Sequence, residues 1–200
     1  MVEKQENKIN RTKFNIIVLG EGSVGKSSII SRLKGKNFEE NNLSTVGIDY
    51  YVDEKVFDNT KYKFKIFDTA GQERYKSIAS STIKLADGFL IVFAVDNKNS
   101  FEKVKYWFDK INEETNLEKK RLFLVGNKID LQRIISNEDG VKYAKEKKMK
   151  YYEVSAKTGF NIKEIFDELY KDIYILKKED DNFLLRRMTQ EKTKKKKKFC

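Results

Sequence analysis

The sequence predicts an α/β fold: a doubly wound sheet of about six strands, mostly parallel, with one antiparallel strand and helices on both faces. Three observations carry this. Short apolar runs rich in β-branched residues recur along the chain and alternate with segments whose apolar residues fall at helical spacing. A glycine-rich loop joins the first such strand to the first such helix. Two neighbouring strand-like stretches are separated only by Asp58-Asn59-Thr60-Lys61, read as a hairpin turn that accounts for the antiparallel strand.

Taken in order, Phe14 to Leu19 is a continuous apolar run bounded by Gly20, as a buried parallel strand requires. Lys26 to Leu33 follows at helical spacing, with Ile29, Ile30 and Leu33 as its apolar positions. Ile48 to Phe57 and Tyr62 to Phe67 form the hairpin strands. Gly88 to Val95 and Arg121 to Val125 are again continuous apolar runs, suited to strands covered on both faces. Between them Phe101, Val104, Phe108 and Ile111 mark one amphipathic helix. Ser136, with Asp139 three residues on, caps a helix reaching to about Lys147, and Tyr151 to Val154 is the last strand. Asn161 with Glu164 caps a final helix whose apolar face is Ile162, Ile165, Phe166, Leu169, Ile173 and Leu176. The division is a flexible lead over 1–12, one domain over 13–177 and a flexible basic tail over 178–200.

Composition excludes several chemistries. The 200 residues contain no histidine, which removes histidine triads and HExxH zinc sites. A single cysteine permits neither an internal disulfide nor a cysteine-rich metal cluster, and suits a reducing cytosol. Met1 to Lys13 is polar and unlike a signal peptide. The longest apolar run, Phe89 to Val95, falls far short of the roughly 20 residues of a membrane span. The net charge is +11, but residues 182–200 hold eight basic residues against Glu191 alone. That is +7 in the tail and +4 in everything before it, so the basicity belongs to the tail and not to a face of the fold.

Gly20-Glu21-Gly22-Ser23-Val24-Gly25-Lys26-Ser27 fits G-x-x-x-x-G-K-[ST] and stands between a strand and a helix that continues with Ser28. Such a loop turns backbone N–H groups toward phosphate oxygens. Its lysine neutralises the β and γ phosphates, and its serine hydroxyl ligates magnesium. The pattern points to a nucleotide without choosing between ATP and GTP. Asn127-Lys128-Ile129-Asp130 follows a strand and makes that choice: the Asp130 carboxylate can accept from guanine N1–H and its exocyclic amine, donors that adenine lacks. Taken alone it is equally a polar turn. Ser155-Ala156-Lys157 strengthens it by ending the last strand, where the Ala156 N–H could reach guanine O6. In Asp68-Thr69-Ala70-Gly71-Gln72-Glu73-Arg74, Asp68 is placed to hold magnesium, Gly71 to offer an N–H to a γ-phosphate and Gln72 to orient an attacking water. Taken alone this too reads as a charged loop.

GEGSVGKS, STVGIDY, DTAGQER, NKID and SAK, in that order, resemble the Ras superfamily of small GTPases, and within it most closely the Rab branch that directs vesicle traffic. The resemblance covers Lys13 to Leu176 and implies the P-loop fold of small G proteins. It implies GDP or GTP with Mg2+ as cofactors and slow GTP hydrolysis. It also implies exchange, activating and effector proteins as partners of what would be a monomer. By the same resemblance Thr45 ligates magnesium and senses the γ-phosphate. Phe38 would pack edge-on against guanine, and Lys128 would lie along its other face. Three positions depart from the Rab pattern: Tyr50 for Phe, Phe67 for Trp, and Thr82 for an aromatic. They bear on the effector surface and not on GTP chemistry. Cys200, after Lys194 to Lys198 and Phe199, stands where Rab proteins carry lipidated cysteines. This implies a cytoplasmic protein cycling onto the cytosolic face of an internal membrane through a prenyl group and five lysines. The rival readings are a Ras-like signalling switch and a nucleotide-regulated nucleic-acid binder. A tail whose only aromatics are Phe183 and Phe199 speaks against the second.

Overall fold

The computed structural model describes residues 12–39, 48–69 and 80–198, with side chains throughout except at 48 and beyond 182. Six strands form one sheet: β1 Lys13–Leu19, β2 Ile48–Phe57, β3 Thr60–Thr69, β4 Gly88–Ala94, β5 Arg121–Asn127 and β6 Lys150–Glu153. Their order is β2-β3-β1-β4-β5-β6, antiparallel between β2 and β3 and parallel elsewhere. The helices are α1 Lys26–Leu33, α2 Ser80–Leu85, α3 Lys98–Glu102, α4 Val104–Glu114, α5 Asn137–Glu146 and α6 Ile162–Lys198.

Alternation along the central strands divides the core in two. Phe14, Ile16 and Val18 of β1 join Leu90 and Val92 of β4 on the face covered by α1 and α6. Ile17 and Leu19 join Phe89, Ile91 and Phe93 on the opposite face, against Ile83 of α2, Trp107, Phe108 and Ile111 of α4 and Ala144 of α5. Both faces of β4 are buried along its whole length, which is why its sequence is a run and not an alternation. α6 contributes Ile165, Phe166, Leu169, Tyr170 and Ile173, all fully buried. A Cβ on Gly88 would stand 2.7 Å from Ile173 Cδ1, so the helix lies directly on the start of β4.

Strand ends differ from the sequence expectation by one or two residues, and three features differ more. The hairpin turn is two residues, not four: Asp58 and Asn59 both sit in the left-handed region (φ 44° and 59°), and Thr60 already pairs with Phe57. Two left-handed residues match the twist of the flanking strands, and Asp and Asn tolerate that conformation. The amphipathic helix from Phe101 to Ile111 is interrupted at Lys103, whose ψ of −11° tightens the backbone between α3 and α4. α3 is capped by Asn97, whose side chain accepts from Ser100 N–H (3.0 Å). α6 runs on to Lys198, although Leu176 is its last buried residue among those whose side chains are described. The Ser136 cap of α5 stands as read, with Asp139 N–H donating to its hydroxyl at 3.1 Å. Asn161 uses its side-chain amide on the Glu153 carbonyl (3.0 Å).

Asp87, 1% exposed, ties the edge of the sheet that carries the N-terminal ends of the parallel strands. Its Oδ2 accepts from Asn15 N–H (2.9 Å) and its Oδ1 lies 3.5 Å from Lys177 Nζ of α6. Asp87→Ala leaves that N–H and the ammonium without their carboxylate and is expected to destabilise the fold by about 2–3 kcal/mol. Urea unfolding at fixed nucleotide concentration checks this, and an unchanged midpoint would remove Asp87 from the framework.

Candidate nucleotide-binding site

Because β1, β3, β4, β5 and β6 are mutually parallel, their carboxyl ends share one edge of the sheet. The chain leaves β1 toward β2 and β3, then returns past it to β4, and a crevice opens at such a reversal. The glycine-rich loop sits there. Gly20 (φ 143°) has no room for a side chain, since a Cβ would lie 2.1 Å from the Val92 carbonyl oxygen. Gly25 (φ 93°) is the N-cap of α1, and its Cβ would lie 2.3 Å from Asn127 Nδ2. Between them Gly22 and Ser23 are exposed and Val24 is buried.

Lys26 closes the loop on itself. Its Nζ donates to the carbonyls of Gly20 (2.9 Å) and Glu21 (2.7 Å). Burial pushes its pKa down to about 8, against the pull of the Asp68 and Glu21 carboxylates. Asp68, at the end of β3, is shifted the other way. Burial raises its carboxyl pKa, while a hydrogen bond from Ser27 and the charge of Lys26 oppose the rise. Asp68 Oδ1 is buried with no hydrogen-bond partner among the described residues. An orphaned carboxylate oxygen beside a serine hydroxyl fits a hard divalent cation that takes oxygen ligands.

Asn127 joins three loops. Only 1% exposed at the end of β5, it donates through Nδ2 to the Val24 carbonyl (2.8 Å) and accepts at Oδ1 from Ala156 N–H (3.1 Å). The same N–H that the sequence offers to guanine O6 is held by Asn127 in this structure. Ser155 Oγ donates to Asp130 Oδ1 at 2.5 Å, fixing one carboxylate oxygen of an otherwise exposed side chain. Lys128 is left-handed (φ 68°) and half-buried, its Nζ 3.9 Å from Asp96 Oδ1. Lys157 is exposed and Ser28 is half-buried on α1. Phe38 packs half-buried against the core under α1. Thr45, Gly71, Gln72 and Cys200 lie outside the described residues.

The structure therefore brings together Gly20 to Ser28, Asp68, Asn127 to Asp130 and Ser155 to Lys157 on one edge. Sequence reasoning missed Asp96 beside Lys128, and also the pairing of Arg133 with Glu153 (Nη1 to Oε1, 3.0 Å) behind the two base-side loops. No local pattern marks either contact, since the partners are far apart in the chain.

Comparison with known proteins agrees with this geometry. The Ras family model matches residues 15–175. The chain belongs to the Ras family, whose members are GTPases. It is similar to the GTP-binding protein YPT52 of Saccharomyces cerevisiae, 33% identical over 84% of this chain and 85% of the yeast protein. It is also similar to the Ras-related protein Rab-13 of Bos taurus (34% identical, 81% of this chain, 80% of that protein). The Ras-related protein Rab-18 of Caenorhabditis briggsae is likewise 34% identical, over 81% of each chain.

The lowered Lys26 pKa has a signed consequence. With burial holding its pKa at about 8, Lys26 is expected to lose its proton through that pH, and phosphates bound against it would restore the proton by favouring the charged form. Nucleotide binding is thus expected to take up a proton at about pH 8.5 but not at about pH 7, and affinity falls as pH rises through 8. Titration calorimetry in buffers of different ionisation enthalpy measures the uptake. Equal proton exchange at both pH values would show that Lys26 keeps its charge throughout.

Proposed function

We propose that this chain is a Rab-type switch that binds GDP or GTP with magnesium, hydrolyses GTP slowly and regulates a step of membrane traffic. The observation that carries the reading is the convergence of three loops on Asn127, with buried Lys26 on one side and the Ser155–Asp130 pair on the other. The loop from Gly20 to Ser27 and the start of α1 would hold the phosphates through backbone N–H groups, the helix dipole and the Lys26 ammonium. Asp130, with one oxygen pinned by Ser155, would accept from guanine N1–H and the exocyclic amine. Lys128 and Phe38 would enclose the base.

Ser27, Asp68 and Thr45 would hold the magnesium ion, which neutralises charge on the β and γ phosphate oxygens when bound. The reaction is GTP + H2O → GDP + phosphate. Gln72 and the Thr45 carbonyl orient the attacking water, Gly71 donates to the γ-phosphate, and Lys26 stabilises the charge that develops. Unassisted turnover of this type is on the order of 10⁻³ per second or less, and an arginine from an activating protein accelerates it.

The effector surface is this chain's own. Tyr50 is 55% exposed, its ring 6.4 Å from Phe67, with Lys65 Nζ 3.8 Å from the Tyr50 ring centroid. A cation over the aromatic pair favours partners unlike those that read a purely apolar cluster. Among the described residues no helix is long and apolar enough to cross a membrane. Membrane residence would come from a prenylated Cys200 and the lysines at 194–198, because one chain alone binds only marginally.

Asp130→Asn is expected to lower GTP affinity by orders of magnitude and to move both binding and turnover to XTP, whose base offers the complementary donor and acceptor. Titration and single-turnover hydrolysis with both nucleotides check this, and unchanged GTP affinity would remove Asp130 from the base site. Cys200→Ser is expected to shift the protein from membranes to the soluble fraction with GTP turnover unchanged. Cell fractionation decides, and a variant that stays on membranes would refute the lipid anchor.

A further inference from the structure

The two loops on the base side of the crevice are tied together twice. One tie is the Ser155–Asp130 hydrogen bond. The other lies behind it. Arg133, three residues beyond Asp130, forks onto Glu153, two residues before Ser155, with Nη1–Oε1 and Nη2–Oε2 both 3.0 Å. A planar fork fixes direction as well as distance, which a single ammonium contact does not.

Glu153 is itself held from several sides. The Tyr151 hydroxyl donates to Oε1 at 2.9 Å, and the Asn137 side chain bonds the same carboxylate. Burial works against its charge, yet the bonds from Arg133, Tyr151 and Asn137 keep its carboxyl below the usual range. Tyr151 is wedged in turn. A Cβ on Gly140 would stand 2.3 Å from its Cζ, and one on Gly126 would stand 2.9 Å from its hydroxyl oxygen. Gly126 immediately precedes Asn127. The segment carrying Arg133 is pegged at its far end, where Ile134 N–H and Ile135 N–H both donate to the Val95 carbonyl at 2.8 and 3.0 Å.

We propose that Arg133, Glu153 and Tyr151 form a positioning clamp that sets how long guanine nucleotide stays bound, by holding the Asp130 loop and the Ser155-Ala156 loop at one separation. None of the three belongs to the crevice lining; they act through Asp130 and Ser155. Asp130, Leu131, Arg133 and Ile134 are all exposed, so little apolar packing holds this loop. Without the fork it pivots on the Ser155 bond, and the carboxylate loses its aim at two base donors at once. The inference rests on the reading of this crevice as a guanine site.

The test is release of N-methylanthraniloyl-labelled GDP and IDP from the full chain, chased with excess unlabelled nucleotide. The base of IDP lacks the exocyclic amine, so it depends less on the angle of Asp130. Arg133→Met and Glu153→Gln are expected to release GDP about tenfold faster or more, with a smaller change for IDP, so the ratio between the two nucleotides shrinks. Arg133→Lys, which keeps the charge and one hydrogen bond, recovers part of the slow release. Equal acceleration of both nucleotides, in step with a lower melting temperature, would reduce the clamp to general stability and overturn the proposal. Wild-type release from Arg133→Met would overturn it as well. Arg133 is exposed, so that variant carries the test if Glu153→Gln does not fold. If the unsubstituted protein holds no GDP, the guanine-site reading itself fails. If it holds GDP and Arg133→Met releases it unchanged, the clamp alone fails.

Discussion

The carboxamide of Asn127 is the constraint from which the rest of the crevice follows. It sits 1% exposed at the carboxyl end of β5 and satisfies two buried backbone groups at once, the Val24 carbonyl and the Ala156 N–H. Losing it would strand both, at about 1–3 kcal/mol each. The demand is mutual. The amide can approach Val24 only because Gly25 has no side chain in its path. The left-handed Gly25 also begins α1, so one polar contact couples the starting point of a helix to the spacing of loops from β1, β5 and β6. An aspartate there would supply no donor for Val24, and a leucine would supply neither group.

The electrostatics of the crevice are unfavourable in isolation and become favourable together with a ligand. Burial lowers the pKa of Lys26 and raises that of Asp68, so each group is held in surroundings that disfavour its charge. Their mutual attraction offsets only part of this. On the proposed reading a polyanion would answer the lysine, and a divalent cation would answer the orphaned Asp68 oxygen. The site thus holds destabilisation that nucleotide and metal would relieve on binding, which is the usual relation between function and stability at a preformed site. It also explains why Lys26 caps the Gly20 and Glu21 carbonyls: those contacts hold the loop in shape around its own charge.

Much of the fold was legible in the sequence, as were the motif loops that meet in the candidate site, for reasons that differ by element. β4 and β5 announced themselves because burial on both faces demands an unbroken apolar run. The glycine loop was legible because its chemistry is local: eight consecutive residues carry the turn, the lysine and the serine. What escaped was non-local or backbone-level. The turn at Asp58-Asn59 depends on two left-handed residues, which the composition permits without requiring. α6 passes beyond Leu176 because neither proline nor glycine stops it and the residues there are good helix formers, a propensity that patterning for buried faces does not report. The contact of the Ala156 N–H with Asn127 spans 29 residues, a distance no local pattern bridges. Arg133 and Glu153 are separated by 20 residues, and nothing short of the fold brings them together.

The architecture also separates the two ends of the function in space. The crevice opens at the carboxyl ends of the parallel strands, whereas α6 starts near that edge and runs back across the sheet. By Ile173 it lies on Gly88, the first residue of β4, and by Lys177 it reaches Asp87. The far end of the β2–β3 hairpin meets the helix at the same level. Tyr174 stacks on Phe57 (4.7 Å, 7° between planes) and donates to Asp58 at 2.6 Å, and Lys178 pairs with the same carboxylate. The chain that continues past Lys178 therefore departs from the edge opposite the crevice. On the proposed reading, a tether beyond it would leave the crevice turned away from the surface that holds the tail. The near end of the same hairpin carries Asp68, so β2 and β3 span the distance between that carboxylate and the root of the tail. The register of the hairpin is held by ten paired positions from Ile48–Thr69 to Phe57–Thr60.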